Sequence, residues 1–311
     1  MSKTQLKGKL HPRSLHNAPY NFIKLVAACP LLKDAVITTP TNQLSINFAN
    51  PQSVRLLNQA LLALHYDIKF WTLAEGFLCP PIPGRVDMLH YLADLLAESK
   101  NIDVATLKQR QIKALDIGCG ANLIYPLLGN KVYNWQFIAS DIHQPSINAA
   151  TELIQANGLQ RQIECRLQAN SQRIFHGVLN KNEYVDLTLC NPPFHRSAAE
   201  AAEGSQRKQS NLQHNRQQRT GTIKSSPSNR LNFAGKNNEL WCDGGESAFV
   251  RRMIAESRDF AEQVGWFTSL VAKKDNLPAI KQALKKAQVK EHRIINMSQG
   301  QKISRVICWR F

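Results

Sequence analysis

Long hydrophobic runs are missing from this sequence of 311 residues. None approaches the ~20 consecutive apolar positions that a helix needs to cross a bilayer. The start, MSKTQLKGKLHPR, carries basic residues but neither an apolar segment nor a small-residue cleavage site behind them, so no secretory signal peptide is expected. Cysteine is sparse and unpaired. The seven thiols, at positions 29, 79, 119, 165, 190, 242 and 308, form no CxxC pair, and no nearby histidine completes a zinc-type spacing. A metal site and a disulfide framework are therefore not expected, and the reading is a cytoplasmic protein with reduced thiols. Acidic residues are absent from two windows, the one before Asp34 and the one between Glu203 and Glu239.

Basic residues fill those windows. Lys3, Lys7, Lys9, Arg13, Lys24 and Lys33 occupy the first; Arg207, Lys208, Arg216, Arg219, Lys224, Arg230 and Lys236 occupy the second. Over the whole chain 39 Lys and Arg face 23 Asp and Glu, a formal net charge of +16. Such an excess favours a polyanionic partner, and with no membrane span in view, nucleic acid leads. An apolar content of 43% excludes global disorder. The second basic window, rich in Gln, Asn, Ser and Arg, holds too few large apolar residues to order itself and reads as a long mobile loop.

Periodicity divides the chain near residue 80. The run NPQSVRLLNQALLAL predicts a helix with Asn50 as N-cap and Pro51 at its first position. The passage from Asp67 to Arg85 ends in FLCPPIPGR, whose prolines argue against regular structure, and a helix is predicted only from Val86 to Ser99. Strands are predicted over 112–117, 136–140, 163–167, 185–190 and 265–271, alternating with helices, with two more near 290–297 and 303–311. This pattern implies an α/β fold with a doubly wound parallel sheet and an antiparallel finish. The expected organisation is a helical basic module over 1–79 and an α/β domain over 80–311, with a basic flexible insertion at about 204–238.

Two motifs carry chemistry. In LDIGCGAN a strand ends at Asp116, and Gly118 and Gly120 turn the chain toward a helix, as a backbone must where it passes close to a nucleotide; Asp116, Gly118 and Gly120 are expected to contact that ligand. The third glycine of a dinucleotide fingerprint is missing, because Leu123 stands there, and NAD is disfavoured. Asp141 ends the next strand, 25 residues beyond Asp116, where a carboxylate can accept the ribose hydroxyls of an adenosine cofactor. In LQANSQ, Asn170 or Ser171 is placed to reach an adenine edge. The second motif is NPPF, Asn191 to Phe194, directly after the fourth strand. The carboxyl ends of the strands of an open sheet share one crevice, so this motif faces Gly118. An exocyclic amine is a poor nucleophile because its lone pair is delocalised into the ring. Two fixed acceptors, the Asn191 side-chain oxygen and the Pro192 carbonyl, would pyramidalise it. Pro193 stiffens the turn, and Phe194 offers a stacking face.

The blocks CPPIPGRVDMLHYLADLL, LDIGCGANLIYPLLG, TLCNPPFHRSAAEA and ELWCDGGE together resemble the ribosomal RNA large subunit methyltransferase F family. The resemblance runs from Leu10 to the final strand. It implies a seven-stranded, Rossmann-like fold dependent on S-adenosylmethionine (AdoMet), with a helical N-terminal extension. It also implies N6-methylation of one adenine of 23S ribosomal RNA, free or in a large-subunit assembly intermediate. By position, Arg85, Gly118, Asp141, Ser171 and Asn191 match the cofactor and active-site positions of that family, with Arg85 facing the methionine carboxylate. The RNA contacts would fall on Arg207, Lys208, Arg216, Arg219, Lys224 and Arg230. Three alternatives remain open on the residues alone. A guanine-N2 ribosomal RNA methyltransferase also carries NPPF followed by His, here His195. A glutamine-N5 protein methyltransferase carries an NPPY form, and a non-catalytic RNA-binding assembly factor would keep the fold without the reaction.

Overall fold

The computed structural model describes residues 9–197, 199–200, 240–299 and 302–311. The basic window predicted to be a mobile loop, with its six candidate RNA contacts, lies outside them. Strands with nearly continuous apolar sequence are buried along almost their whole length. In chain order the elements are α1 (Phe22–Ala28), β1 (Val36–Thr38), β2 (Leu44–Ile46), α2 (Pro51–Tyr66), α3 (Ile82–Ser99), α4 (Val104–Lys108), β3 (Lys113–Ile117), α5 (Ile124–Tyr133), β4 (Gln136–Asp141), α6 (Gln144–Ala156), β5 (Ile163–Leu167) and β6 (Val185–Cys190). Beyond the undescribed segment come α7 (Gly245–Ser257), β7 (Val264–Val271), α8 (Leu277–Ala287), β8 (Glu291–Gln299) and β9 (Lys302–Arg310). β3, β4, β6 and β7 each expose at most one or two positions even partly, as strands do when helices cover both faces of a sheet.

The seven strands run in the order β5-β4-β3-β6-β7-β9-β8. β5 through β7 are parallel, while β9 pairs antiparallel with β7 and with β8. The doubly wound sheet with an antiparallel finish is thus present, with strand bounds within two residues of those expected. From β3 the chain builds outward through β4 and β5, then returns to lay β6 on the other side of β3. That reversal opens a crevice beyond the carboxyl ends of β3 and β6.

The helices follow their caps. Asn50 Oδ1 accepts from the Gln52 and Ser53 N–H groups, and Pro51 opens α2 as expected. α3 differs: it begins at Ile82, four residues before the expected start, with Pro81 as N-cap and Pro83 in its first turn. First-turn N–H groups have no intrahelical acceptor, so proline there costs no hydrogen bond, and the Pro-rich passage initiates the helix.

One hydrophobic cluster joins Phe22, Leu61 and Trp71 of the first 79 residues to Leu89 of α3, Leu127 of α5 and Ala114 of β3. A second, on the other face, gathers Met253 and Ile254 of α7 and Leu284 of α8 around Phe267 and Trp309. The N-terminal segment is also tied by polar contacts: Arg13 Nη1 donates to Asp94 Oδ1 at 2.7 Å and Nη2 to the His90 carbonyl at 2.7 Å. Among the described residues no helix is long and apolar enough to cross a membrane.

Candidate active site

The crevice holds a cavity of about 450 Å³. Its floor is the glycine loop. Gly118 and Gly120 sit at φ of +73° and +61°, in the left-handed region that favours glycine. The Gly118 and Cys119 N–H groups both donate to the Ser140 carbonyl at 2.9 Å, which draws the loop over the end of β4. A Cβ at Gly118 would meet nothing of the protein within 4 Å. The missing side chain therefore leaves space for a ligand rather than for neighbouring protein. Leu123, where a third glycine would stand, adopts φ of +48° as the N-cap of α5.

Asp141 lies at the β4 end, 9% exposed and lining the cavity. Its Oδ2 accepts from Gly120 N–H and its Oδ1 from His143 N–H, each at 2.9 Å. Burial raises its pKa while these donors hold it down. Each oxygen keeps a lone pair for a further donor. The loop after β5 supplies the adjoining wall. Ser171 lines the cavity, but Asn170 does not: its Oδ1 accepts from Gln172 N–H and its carbonyl from Arg173 N–H, closing a turn on itself. Of the two candidates for the adenine edge, Ser171 is the one in the wall.

Arg85 enters the cavity wall from the first turn of α3. Its Nη1 donates to Tyr125 Oη at 2.9 Å, its guanidinium lies 5.3 Å from that ring's centroid, and its Nε has no partner among the described residues. Asp116 sits beneath, 1% exposed, and neither carboxylate oxygen has a partner there. Burial pushes its pKa up to about 8, against the pull of Arg85, and Asp141 adds to the rise. Burial thus favours the neutral form of Asp116, which lies under the loop and outside the cavity lining rather than against the cofactor as expected.

The acceptor motif follows β6. Asn191 and Pro193 line the cavity, and the buried Asn191 Oδ1 has no hydrogen-bond partner among the described residues. Pro192 is buried behind them. Phe194, expected as a stacking face, instead packs against the first hydrophobic cluster and does not line the cavity. Extended backbone accounts for this. His195 N–H donates to the Leu240 carbonyl and Cys242 N–H to the His195 carbonyl, at 3.0 and 3.1 Å, forming a bridge with Trp241. Trp241, not Phe194, brings an aromatic ring to the wall, with a buried Nε1 that has no partner among the described residues. Sequence reasoning assigned no role to Trp241, Gln168, Tyr125 or Arg252, all of which line the cavity. Trp241, Tyr125 and Gln168 stand inside the blocks ELWCDGGE, LDIGCGANLIYPLLG and LQANSQ, whereas Arg252 left no trace.

A doubly wound sheet, a glycine loop at its switch point and an Asn-Pro-Pro turn across from it define a methyltransferase of the adenosyl-cofactor class. The residues fit AdoMet: the Gly118 gap admits a ligand, the Asp141 carboxylate suits ribose hydroxyls, and the Arg85 guanidinium suits a carboxylate. The chain belongs to the RNA methyltransferase family, whose model matches residues 4–311. It is 48% identical to the ribosomal RNA large subunit methyltransferase F of Vibrio cholerae, over 98% of this chain and 84% of that one. It is 50% identical to the protein of the same name from Pseudomonas putida, over 98% and 94%. Among solved structures, the human METTL16 catalytic domain in complex with a MAT2A 3′UTR hairpin matches with a TM-score of 0.77 at 24% identity, over 97% of this chain and 95% of that one. The N-terminal domain of human METTL16 in complex with SAH matches with 0.74 at 23%, over 97% and 98%. At these identities the two structures bear on the fold.

Proposed function

We propose that this chain transfers the methyl group of AdoMet to the exocyclic N6 amine of an adenine in large-subunit ribosomal RNA, in the cytoplasm. The observation that carries the reading is Asn191, which lines the cavity together with the Gly118 loop and whose buried Oδ1 has no partner among the described residues. A buried acceptor without a donor is costly, and a substrate amine satisfies it. AdoMet, when bound, supplies an electrophilic methyl on a sulfonium. Asn191 Oδ1 and the Pro192 carbonyl each accept one N6–H, turning the nitrogen lone pair away from the ring and out of conjugation. With AdoMet bound, transfer would form the N–C bond as the S–C bond breaks, and the amine would shed its extra proton to water afterwards, with no need of a general base. Arg85 would hold the methionine carboxylate and Asp141 the ribose. Trp241 offers the base a face on which to stack, a contact worth ~1–3 kcal/mol.

The substrate class draws support from the family and from the names of relatives close to half identical over nearly the full chain. The 23S RNA, alone or in an assembly intermediate, is the proposed form, with Arg207, Lys208, Arg216, Arg219, Lys224 and Arg230 contacting phosphates. The N-terminal 1–79 module would extend the RNA surface. Tritiated methyl transfer into undermethylated 23S RNA, followed by nucleoside mass spectrometry, is expected to yield N6-methyladenosine. Recovery of N2-methylguanosine would overturn the acceptor, and label entering protein would overturn the RNA substrate.

A further inference from the structure

Helix α7 contributes a residue that touches neither the cavity nor the glycine loop, yet organises one wall of the site. Glu256 is 7% exposed, and its carboxylate accepts from three consecutive backbone N–H groups. Oε1 accepts from Ile174 (3.2 Å), Phe175 (2.9 Å) and His176 (2.9 Å), and Oε2 from Ile174 (2.9 Å). These belong to the irregular segment between β5 and β6, where no sheet neighbour supplies acceptors. Gln168 laces the same segment from within: its Oε1 accepts from Asn170 N–H at 2.9 Å and its Nε2 donates to the His176 carbonyl at 2.8 Å. One helical turn before Glu256, on the same face, Arg252 Nη1 donates to Gln172 Oε1 at 3.1 Å. Ser171, Gln172, Arg173 and Ile174 of this segment line the cavity next to Asp141.

We propose that Glu256 is a positioning residue for cofactor recognition: by gathering the Ile174–His176 N–H groups it fixes the 168–176 segment against the adenine edge. The inference rests on the AdoMet reading above. A carboxylate is suited to this task because it is acceptor-only, with lone pairs for all three donors, and bonds to an ionised acceptor are the stronger kind. An amide of the same shape places N–H against N–H at one position. Glu256→Gln therefore keeps the volume and loosens the wall, whereas Asn191 and Gly118 stay where they are.

The test uses the full chain and two ligands, S-adenosylhomocysteine and S-inosylhomocysteine, which differ only at the purine edge. By calorimetry the wild type is expected to prefer the adenine ligand by about tenfold, the scale of one or two edge hydrogen bonds. In Glu256→Gln that preference should shrink to about twofold, through weaker adenine binding, with S-inosylhomocysteine affinity little changed and turnover at saturating AdoMet within about threefold. Glu256→Asp, which keeps the charge but falls short by one methylene, should lie between. Where Glu256→Gln does not fold, hydrogen exchange in folded Glu256→Asp reads the same point, with faster exchange over 168–177 and none gained at 113–121. Equal loss for both ligands, or a preference that survives substitution, overturns the positioning role alone. Failure of the wild type to bind S-adenosylhomocysteine overturns the cofactor reading itself.

Discussion

Two parts of the cavity wall are built on different plans. Around the proposed adenosine site the protein largely satisfies itself: Asp141 receives the Gly120 and His143 N–H groups, Gln168 laces its own loop, and Glu256 collects three more donors, leaving Arg252 Nε there without a partner among the described residues. Around the proposed methyl-transfer site, buried polar atoms of Arg85, Asn191 and Trp241 have no partner among the described residues. A self-satisfied wall is rigid before the ligand arrives, which lowers the ordering cost of binding. Unsatisfied atoms are costly until a ligand or substrate meets them, so their bonding energy is realised only when the reacting groups are in place. The cofactor's invariant half meets preformed structure, and the reacting half meets groups awaiting partners.

The sharpest break of this contrast is Asn191→Ala. Turnover should fall by about 100-fold or more, the scale of losing one preorganised polar group at a reacting centre. AdoMet affinity measured by calorimetry should stay within about threefold of wild type, because the wall at the adenosine end is untouched. A parallel loss of affinity would place Asn191 in cofactor binding instead. Arg85→Lys comes next. Lysine keeps the charge but loses the planar fork, and AdoMet binding is expected to weaken by about tenfold. Restoring little of that deficit at low salt would argue for geometry over charge.

The smallest effect concerns Asp116 and is read as stability. Its carboxyl stands at about 8 in the folded protein, raised from 3.8 chiefly by burial. The folded state therefore binds the proton more tightly than the unfolded chain does. The stability this contributes is complete below about pH 4 and is lost as pH rises to about 8, beyond which it changes no further. Asp116→Asn has no such proton to lose. Its thermal midpoint relative to wild type should climb between pH 5 and pH 8, by about 2–4 °C for each kcal/mol of coupling. A gap independent of pH would mean that Asp116 is ionised throughout.

Much of this was legible in the chain. Short, mostly apolar runs such as KALDI and VDLTLC specify strands buried on both faces, and DxGxG and NPPF mark the two strand ends that meet at the crevice. Local rules failed where the deciding partner lies far away in sequence. Pro81 and Pro83 are the local exception: they read as helix breakers, but at the N-cap and in the first turn their missing N–H groups are harmless. Phe194 looked like a stacking face, but its orientation is set by the His195–Trp241 bridge, more than forty residues on. Asp116 looked like a cofactor ligand because spacing gives a residue's position and not its burial. Glu256 is silent in sequence, one acid on an amphipathic helix, and gains meaning only from three amides about eighty positions earlier.

Trp71 is 2% exposed, and its indole N–H donates at 2.9 Å to the carbonyl of Asn122, four residues past Gly118. The first 79 residues thus place a chromophore against the cofactor loop, while Trp241 stands in the cavity wall. Indole emission depends on the polarity and hydrogen bonding around the ring. Among its five tryptophans the molecule therefore carries one native optical reporter at the cofactor loop and one in the cavity wall, and comparing Trp71→Phe with Trp241→Phe would let loop ordering and base docking be followed separately in stopped flow without an attached dye.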